Sequence, residues 1–291
     1  MIPAAFDYAC PTSVEEAVRL LAEYGEEAKV LAGGQSLLPM LRRRAARPRL
    51  VIDVNRVQRL RGVREEADSL VIGAMTTHHD VIHDALVRRH APLLASATET
   101  VGDPAVRHRG TVGGSAAHAD PAGDLPPVML ALNAGMVAEG PRGRRTIPAA
   151  EFFVDRLVTA LEADELLIGI RVPKRGEGWG FHYEKFQPSA QAPTLVGVAV
   201  AVRRESGSIA EARIGLANMG ATPLRAAAAE AALAGADATE EAVARAAGAA
   251  AEGTSPMSCG GTPSEYRAHL ARVLTHRAVL RAVRSTGRNA V

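Results

Sequence analysis

The chain has 291 residues, enough for two or three domains with substantial cores. Its 34 basic and 32 acidic side chains nearly cancel and aromatic residues make up only 3%, which argues against a nucleic-acid partner and against a stacking platform for single strands. Two cysteines, Cys10 and Cys259, cannot supply the four thiolates an iron–sulfur cluster takes, and they suggest no disulfide framework.

Ser13 and Glu16 form a capping box that opens an amphipathic helix over residues 14–24, stopped by Gly25. The strand AKVL leads into the turn AGGQS, from Ala32 to Ser36, and a short helix starts at Leu37. The basic run Arg42, Arg43, Arg44 and Arg47 reads as a solvated helix face. A strand over residues 50–54 completes a βαβ-type unit that closes near Asn55.

A second unit begins with a strand over residues 69–75, and Thr77 with Asp80 caps a helix running to about Arg89. His79 and His83 stand i, i+4 there, a spacing seen in metal pairs, but a hydrated helix start accounts for them and no metal site is expected. A helix over residues 92–101 precedes a Gly-rich centre. Residues 136–138 and 144–147 read as a hairpin, and LLIGIRV from Leu166 closes the unit before Pro173. Lys174 to Gly180, KRGEGWG, reads as a linker. FHYEKF, LVGVAVAV and IAEARIGLANMG then form an antiparallel meander, followed by Ala-rich helices over residues 224–233, 240–251 and 264–283. The reading is an α+β protein with domains at 1–55, 56–175 and 176–291. The opening MIPAAFDYACPTS lacks a signal-peptide pattern, and no apolar run has the length of a membrane span, so a cytoplasmic location is expected.

The chemistry concentrates in two glycine pairs. Residues 110–132 hold Gly113 and Gly114, a polar loop with His118, Asp120 and Asp124, and an apolar helical run. Gly33 and Gly34 follow the strand AKVL about eighty residues earlier. Glycine lets backbone approach a ligand, and successive free N–H groups make an anion site, so two such turns can grip one diphosphate from both sides. The other nucleotide and hydrolase patterns are missing: the first turn has no GK[ST], and neither GxGxxG nor GxSxG occurs. His118 reads equally as a cofactor contact or a structural hydrogen-bonding residue, and Asp124 as a helix cap or an acceptor for ligand hydroxyls. These residues ask for a diphosphate-bearing cofactor without choosing among dinucleotides.

AGGQS and TVGGS, the latter followed by HADPAGDLP, resemble the two FAD-binding motifs of the medium subunit of molybdenum hydroxylases, the family of aerobic carbon monoxide dehydrogenase and of the FAD domain of xanthine dehydrogenase. The resemblance covers nearly the whole chain. It implies a PCMH-type FAD-binding fold: two α/β subdomains that clasp FAD, plus a C-terminal antiparallel sheet with helices. It puts Ala32 and the backbone amides of Gly33, Gly34, Gln35 and Ser36 on the diphosphate, with Thr111, Gly113, Gly114 and Ser115 approaching from the other side and His118 nearby. It assigns Asp124 to ribityl or ribose hydroxyls, Leu167 to the adenine end and Lys185 to the flavin ring, where its charge would tune the potential. It implies two partners, a large subunit with the molybdenum cofactor and a small subunit with two [2Fe–2S] centres, and a role in passing electrons to an external acceptor. Gln35 stands where the family often has His, and Ala192 with Pro193 stand where many members have an Asp–aromatic pair. Two other readings are a self-contained flavin oxidase or reductase of the same fold, and a nucleotide-binding module without redox function.

Overall fold

Three larger sheets packed against helices, with a two-stranded ribbon beside them, position the glycine turns of the sequence, and a computed structural model describes residues 2–189, 192–257 and 262–286. Cys259 lies outside the described residues; Cys10 is a free thiol.

The first sheet is parallel. Its strands are β1 (Asp7–Ala9), β2 (Ala28–Leu31) and β3 (Leu50–Asp53) in the order β1-β3-β2. Helix α1 (Val14–Tyr24) starts where Ser13 Oγ accepts from the Glu16 amide and ends at Gly25, whose φ of +52° suits glycine. Its apolar face, Val14, Ala17, Val18 and Leu21, is buried with Leu50, Ile52 and Val54. Strand β1 was not expected: three residues with two exposed carry no periodic signal. Helix α2 (Leu37–Arg42) ends before most of the basic run, so Arg43, Arg44 and Arg47 lie in the turn after it and form no helix face, with Arg44 at φ +57°.

The second sheet has the order β4-β5-β10-β6-β7, built from β4 (Val63–Glu65), β5 (Ser69–Gly73), β6 (Gly135–Gly140), β7 (Gly143–Pro148) and β10 (Leu166–Pro173), with all neighbours antiparallel. Between β5 and β6 the chain makes α3 (His78–His83), α4 (Ala85–His90), α5 (Pro92–Glu99), α6 (Pro104–Arg109), α7 (Val112–His118) and α8 (Leu125–Leu132). The single helix expected after Thr77 is two, because Asp84 takes extended dihedrals and its carboxylate receives the amides of Leu86 and Val87, starting a new helix. The Gly-rich centre is more helical than a cofactor loop was expected to be. Thr111 caps α7 by accepting from the Gly114 amide, which places Gly113, Gly114, Ser115 and His118 inside that helix. A short helix α9 (Ala149–Phe152) leads to the ribbon β8 (Phe153–Asp155) and β9 (Val158–Thr159).

The third sheet is the expected meander, β11 (Trp179–Phe186), β12 (Val196–Glu205) and β13 (Ser208–Ala217), with β14 (Leu224–Arg225) on its edge. Period-2 alternation makes β12 the seam between two cores: Val196, Val198, Val200 and Val202 join the cluster with Leu270, Leu274 and Val279, whereas Ala199 and Ala201 join the cluster of the second sheet and α8. Helices α10 (Ala227–Leu233), α11 (Glu240–Ala247) and α12 (Ser264–Ser285) cover the outer face. The linker is shorter than expected, because Trp179 and Gly180 already belong to β11, and its start is anchored where Lys174 Nζ donates to Glu66 O at 2.6 Å and Arg175 to Leu132 O at 2.9 Å. No helix among the described residues is long and apolar enough to cross a membrane.

Candidate cofactor site

The C-terminal end of β2 opens into Ala32–Ser36, the place where parallel sheets present ligand sites. Gly34 has φ +76°, and among the described residues no backbone or side-chain acceptor takes the amides of Gly33, Gly34, Gln35 or Ser36. Gln35, exposed, donates through Nε2 back to Gly33 O at 3.1 Å. The turn is braced from β3: Asn55 Nδ2 donates to Ala32 O at 3.0 Å and to Asp53 Oδ1 at 2.7 Å, while Tyr8 donates to Asp53 Oδ2 at 2.7 Å. Partial burial would raise the Asp53 carboxyl, but the hydrogen bonds from Tyr8 and Asn55 outweigh it and hold the group below its usual range. Tyr8, Asp53 and Asn55 were not singled out from the sequence; an Asp ending a parallel strand, with Asn two residues on, is the signal that finds them.

The two glycine turns do meet. A Cβ on Gly33 would overlap Arg109 O and come within 2.8 Å of Gly110 Cα, and one on Gly114 would stand 3.6 Å from Ala32 Cβ. The chemistry of the second turn differs from the expectation, because its amides are already used. Gly113 N donates to Ala74 O at 2.9 Å, Gly114 N to Thr111 Oγ1 at 3.1 Å and Ser115 N to Thr111 O at 3.0 Å. Gly113 also has no room for a side chain, since a Cβ would sit 2.5 Å from Ala74 Cβ. The free row of N–H groups is therefore on one side, and α7 contributes a bare, close-lying wall. His118 lies half-buried at the end of α7.

Asp124 and Lys185 come together from distant parts of the chain, and they engage each other. Lys185 Nζ is 3.0 Å from Asp124 Oδ2 and donates to Thr100 O at 2.7 Å, with 11% and 9% of the two side chains exposed. Asp124 Oδ1 accepts from Tyr183 Oη and Thr194 Oγ1, both at 2.7 Å. Asp124 makes no side-chain bond to the start of α8, so the helix-cap role is not taken up. Burial first, then the charge and hydrogen bond of Asp124, push the Tyr183 hydroxyl well above its ordinary value, which keeps it a neutral donor. Tyr183, Thr194 and Thr100 escaped the sequence reading because nothing local marks them. Leu167 is 5% exposed and packs in the core of the second sheet. Ala192 donates its amide to Ser189 O at 3.0 Å in the turn between β11 and β12, and Pro193 is exposed.

His79 stacks on His108 with ring centroids 4.1 Å apart, joining α3 to α6, and meets His83 in a tilted contact at 4.3 Å. Beneath it His78 is buried against Gly110; burial, then the charge of Arg107, lowers it to about 4. Among the described residues no group of three or more His, Cys, Asp and Glu could hold a metal.

A free amide row on a left-handed Gly turn, faced by a helix start with no side chain, is the class of site that can receive a diphosphate-bearing cofactor. Residues 4–175 match the family described as FAD binding domain in molybdopterin dehydrogenase, and residues 181–282 that described as CO dehydrogenase flavoprotein C-terminal domain. The carbon monoxide dehydrogenase medium chain of Hydrogenophaga pseudoflava is 43% identical over 96% of this chain and 97% of its own. The solved carbon monoxide dehydrogenase of that organism, in a form lacking the Mo-pyranopterin moiety, superposes with a TM-score of 0.96 at 44% identity, covering 99% of this chain and 100% of that one. Quinoline 2-oxidoreductase from Pseudomonas putida 86 gives a TM-score of 0.93 at 33% identity over 98% of this chain and 99% of that one. The chain belongs to the FAD-binding medium subunits of the molybdenum hydroxylases, and its cofactor is FAD. The fit is physical as well: the turn offers its amides, and at Gly114 a side chain would narrow the gap to Ala32.

Proposed function

We propose that this chain is the electron-transfer subunit of a three-part complex, receiving electrons from the iron–sulfur centres of a small subunit and delivering them to an external acceptor. In that complex a large subunit with the molybdenum cofactor oxidises the organic substrate. The observation that carries the reading is the match of both halves of the chain to the flavoprotein families, combined with the free amides of Gly33 to Ser36. Two cysteines leave the cluster to a partner.

FAD, when bound, supplies the exchange between one-electron donors and a two-electron acceptor. The amides of Gly33, Gly34, Gln35 and Ser36 hold its diphosphate, Gly114 and Thr111 close the opposite wall, and Ser115 with His118 line the exit of α7. Asp124 orients ribityl or ribose hydroxyls while keeping Lys185 in place, and Lys185 presents a partly neutralised positive charge toward the ring. We assign residues 1–55 and 56–175 to the two halves of the FAD clasp and 176–291 to the third sheet and its helices, an organisation supported by the separation of the three larger sheets.

Rapid mixing of the assembled complex with substrate tests the reading. Flavin bleaching should follow iron–sulfur reduction and vanish when the small subunit is omitted. Bleaching that persists without the small subunit would refute it.

A further inference from the structure

We propose that Asn218 and Arg267, remote from the glycine turns, form a positioning device for the Asp124–Lys185 pair and thereby set the affinity for FAD. Asn218 stands just past β13 in a left-handed conformation, φ +60°, which a non-glycine residue adopts at a cost. That geometry spends its polar groups in three directions. Its amide donates to Pro121 O at 2.7 Å, its Nδ2 to Thr194 O at 2.8 Å, and its carbonyl accepts from Arg267 NH1 at 3.3 Å. The first two acceptors flank the same carboxylate. Pro121 lies three residues before Asp124 in the loop leaving α7, and Thr194 is the residue whose hydroxyl donates to Asp124 Oδ1. Asn218 thus fixes, at once, the loop that carries the carboxylate and the turn that orients it.

Arg267 makes the arrangement unusual. It is 3% exposed in the first turn of α12, and its Nε finds no hydrogen-bond partner among the described residues. Taking a guanidinium out of water is unfavourable unless strong acceptors receive it, so a buried arginine aimed at one carbonyl marks a position where rigidity is maintained against that cost. A continuous chain of hydrogen bonds runs from Arg267 through Asn218, Thr194 and Asp124 to Lys185 and Thr100 O. Helix α12, on the far side of the third sheet, is in this way coupled to the carboxylate of the second.

The inference rests on the reading that Asp124 contacts FAD, and its test separates the two. FAD affinity of the full chain is measured by titration of flavin fluorescence for five variants. Asn218→Gly keeps the left-handed backbone, with its bonds to Pro121 and Arg267, and removes only the side-chain amide that donates to Thr194 O; it should weaken FAD binding about tenfold, the loss expected from one buried hydrogen-bond unit. Asp124→Asn should weaken it at least as much, and Asn218→Gly added to Asp124→Asn should cause no further loss, because the device acts through that carboxylate. Arg267→Lys should bind better than Arg267→Met; if the Met variant does not fold, the Asn218 pair decides. Parent affinity in Asn218→Gly, or a loss that adds in full to that of Asp124→Asn, overturns the device. Parent affinity in Asp124→Asn overturns the site assignment and the device with it.

Discussion

Gly33 has no side chain because the space is filled by the backbone of the other turn. Arg109 O and Gly110 Cα occupy the position of its would-be Cβ, and backbone cannot rotate away as a flexible side chain does. Gly33→Ala should therefore separate the turns, lower FAD content of the purified protein and destabilise it by about 1–3 kcal/mol, read from calorimetry; an alanine variant with full FAD and unchanged Tm would show that the contact is slack. Lys185 illustrates a different residue-level point. Charge alone suggests that removing it lowers the flavin potential, but the ammonium is shared with Asp124, whose carboxylate would be left buried. In Lys185→Met the potential should drop on the order of tens of millivolts near neutral pH, and Lys185→Met with Asp124→Asn should return close to the parent value because both charges are gone. Redox titration of the three proteins checks this. Equal drops in the single and double variants would mean that the pair does not act as one unit.

Between elements, the cofactor wall depends on how α6 hands the chain to α7. The hand-over is Gly110, which accepts from the His78 amide at 2.9 Å and packs on the His78 ring, whose Cδ2 would be 2.7 Å from a Cβ there. His78 ordinarily titrates at 6.5 and is lowered to about 4, so it stays neutral in the folded chain while the unfolded chain takes up a proton. The sign follows from linkage: the unfolded state binds more protons below 6.5, so this group's contribution is fully present above that pH and is lost as pH falls toward 4, in total about 3 kcal/mol. His78→Leu should flatten that part of the stability-versus-pH curve measured by denaturant unfolding, while an unchanged slope would assign it to other groups. Elements with their own signals were legible from sequence: α1 by its capping box and amphipathic face, the meander by alternation, α12 by length. β1, α6 and α7 were not. α7 contains two adjacent glycines that lower helix propensity, and it forms because the Thr111 cap and the bond from Gly113 N to Ala74 O compensate. The same bonds explain why the pair at Gly113 and Gly114 looked like a free anion site in one dimension and is not one in three.

At the scale of the molecule, the three sheets are joined where chemistry is expected. Ala32 to Ser36 comes from the first sheet, α7 and Asp124 from the segment between β5 and β6 of the second, and Tyr183, Lys185 and Thr194 from the third. The sequence carried the glycine turns because short motifs demand close backbone, but it did not carry Tyr183 or Thr194, whose roles exist only once residues 59 and 70 positions away from Asp124 are folded against it. The fold by itself does not identify an organic substrate, since closely superposable chains occur in enzymes named for carbon monoxide and for quinoline. If the chain only relays electrons, its identity should govern the acceptor side of turnover and leave the substrate side alone. Replacing the medium subunit of a related molybdenum hydroxylase with this chain, in a reconstituted complex loaded with FAD, should then preserve which substrate is oxidised and its KM, while changing kcat with different electron acceptors. Single-turnover reduction of the iron–sulfur centres by substrate should keep the parent rate, since it precedes the step this chain performs. A hybrid whose substrate range follows the exchanged chain would place substrate recognition on this subunit and contradict the relay.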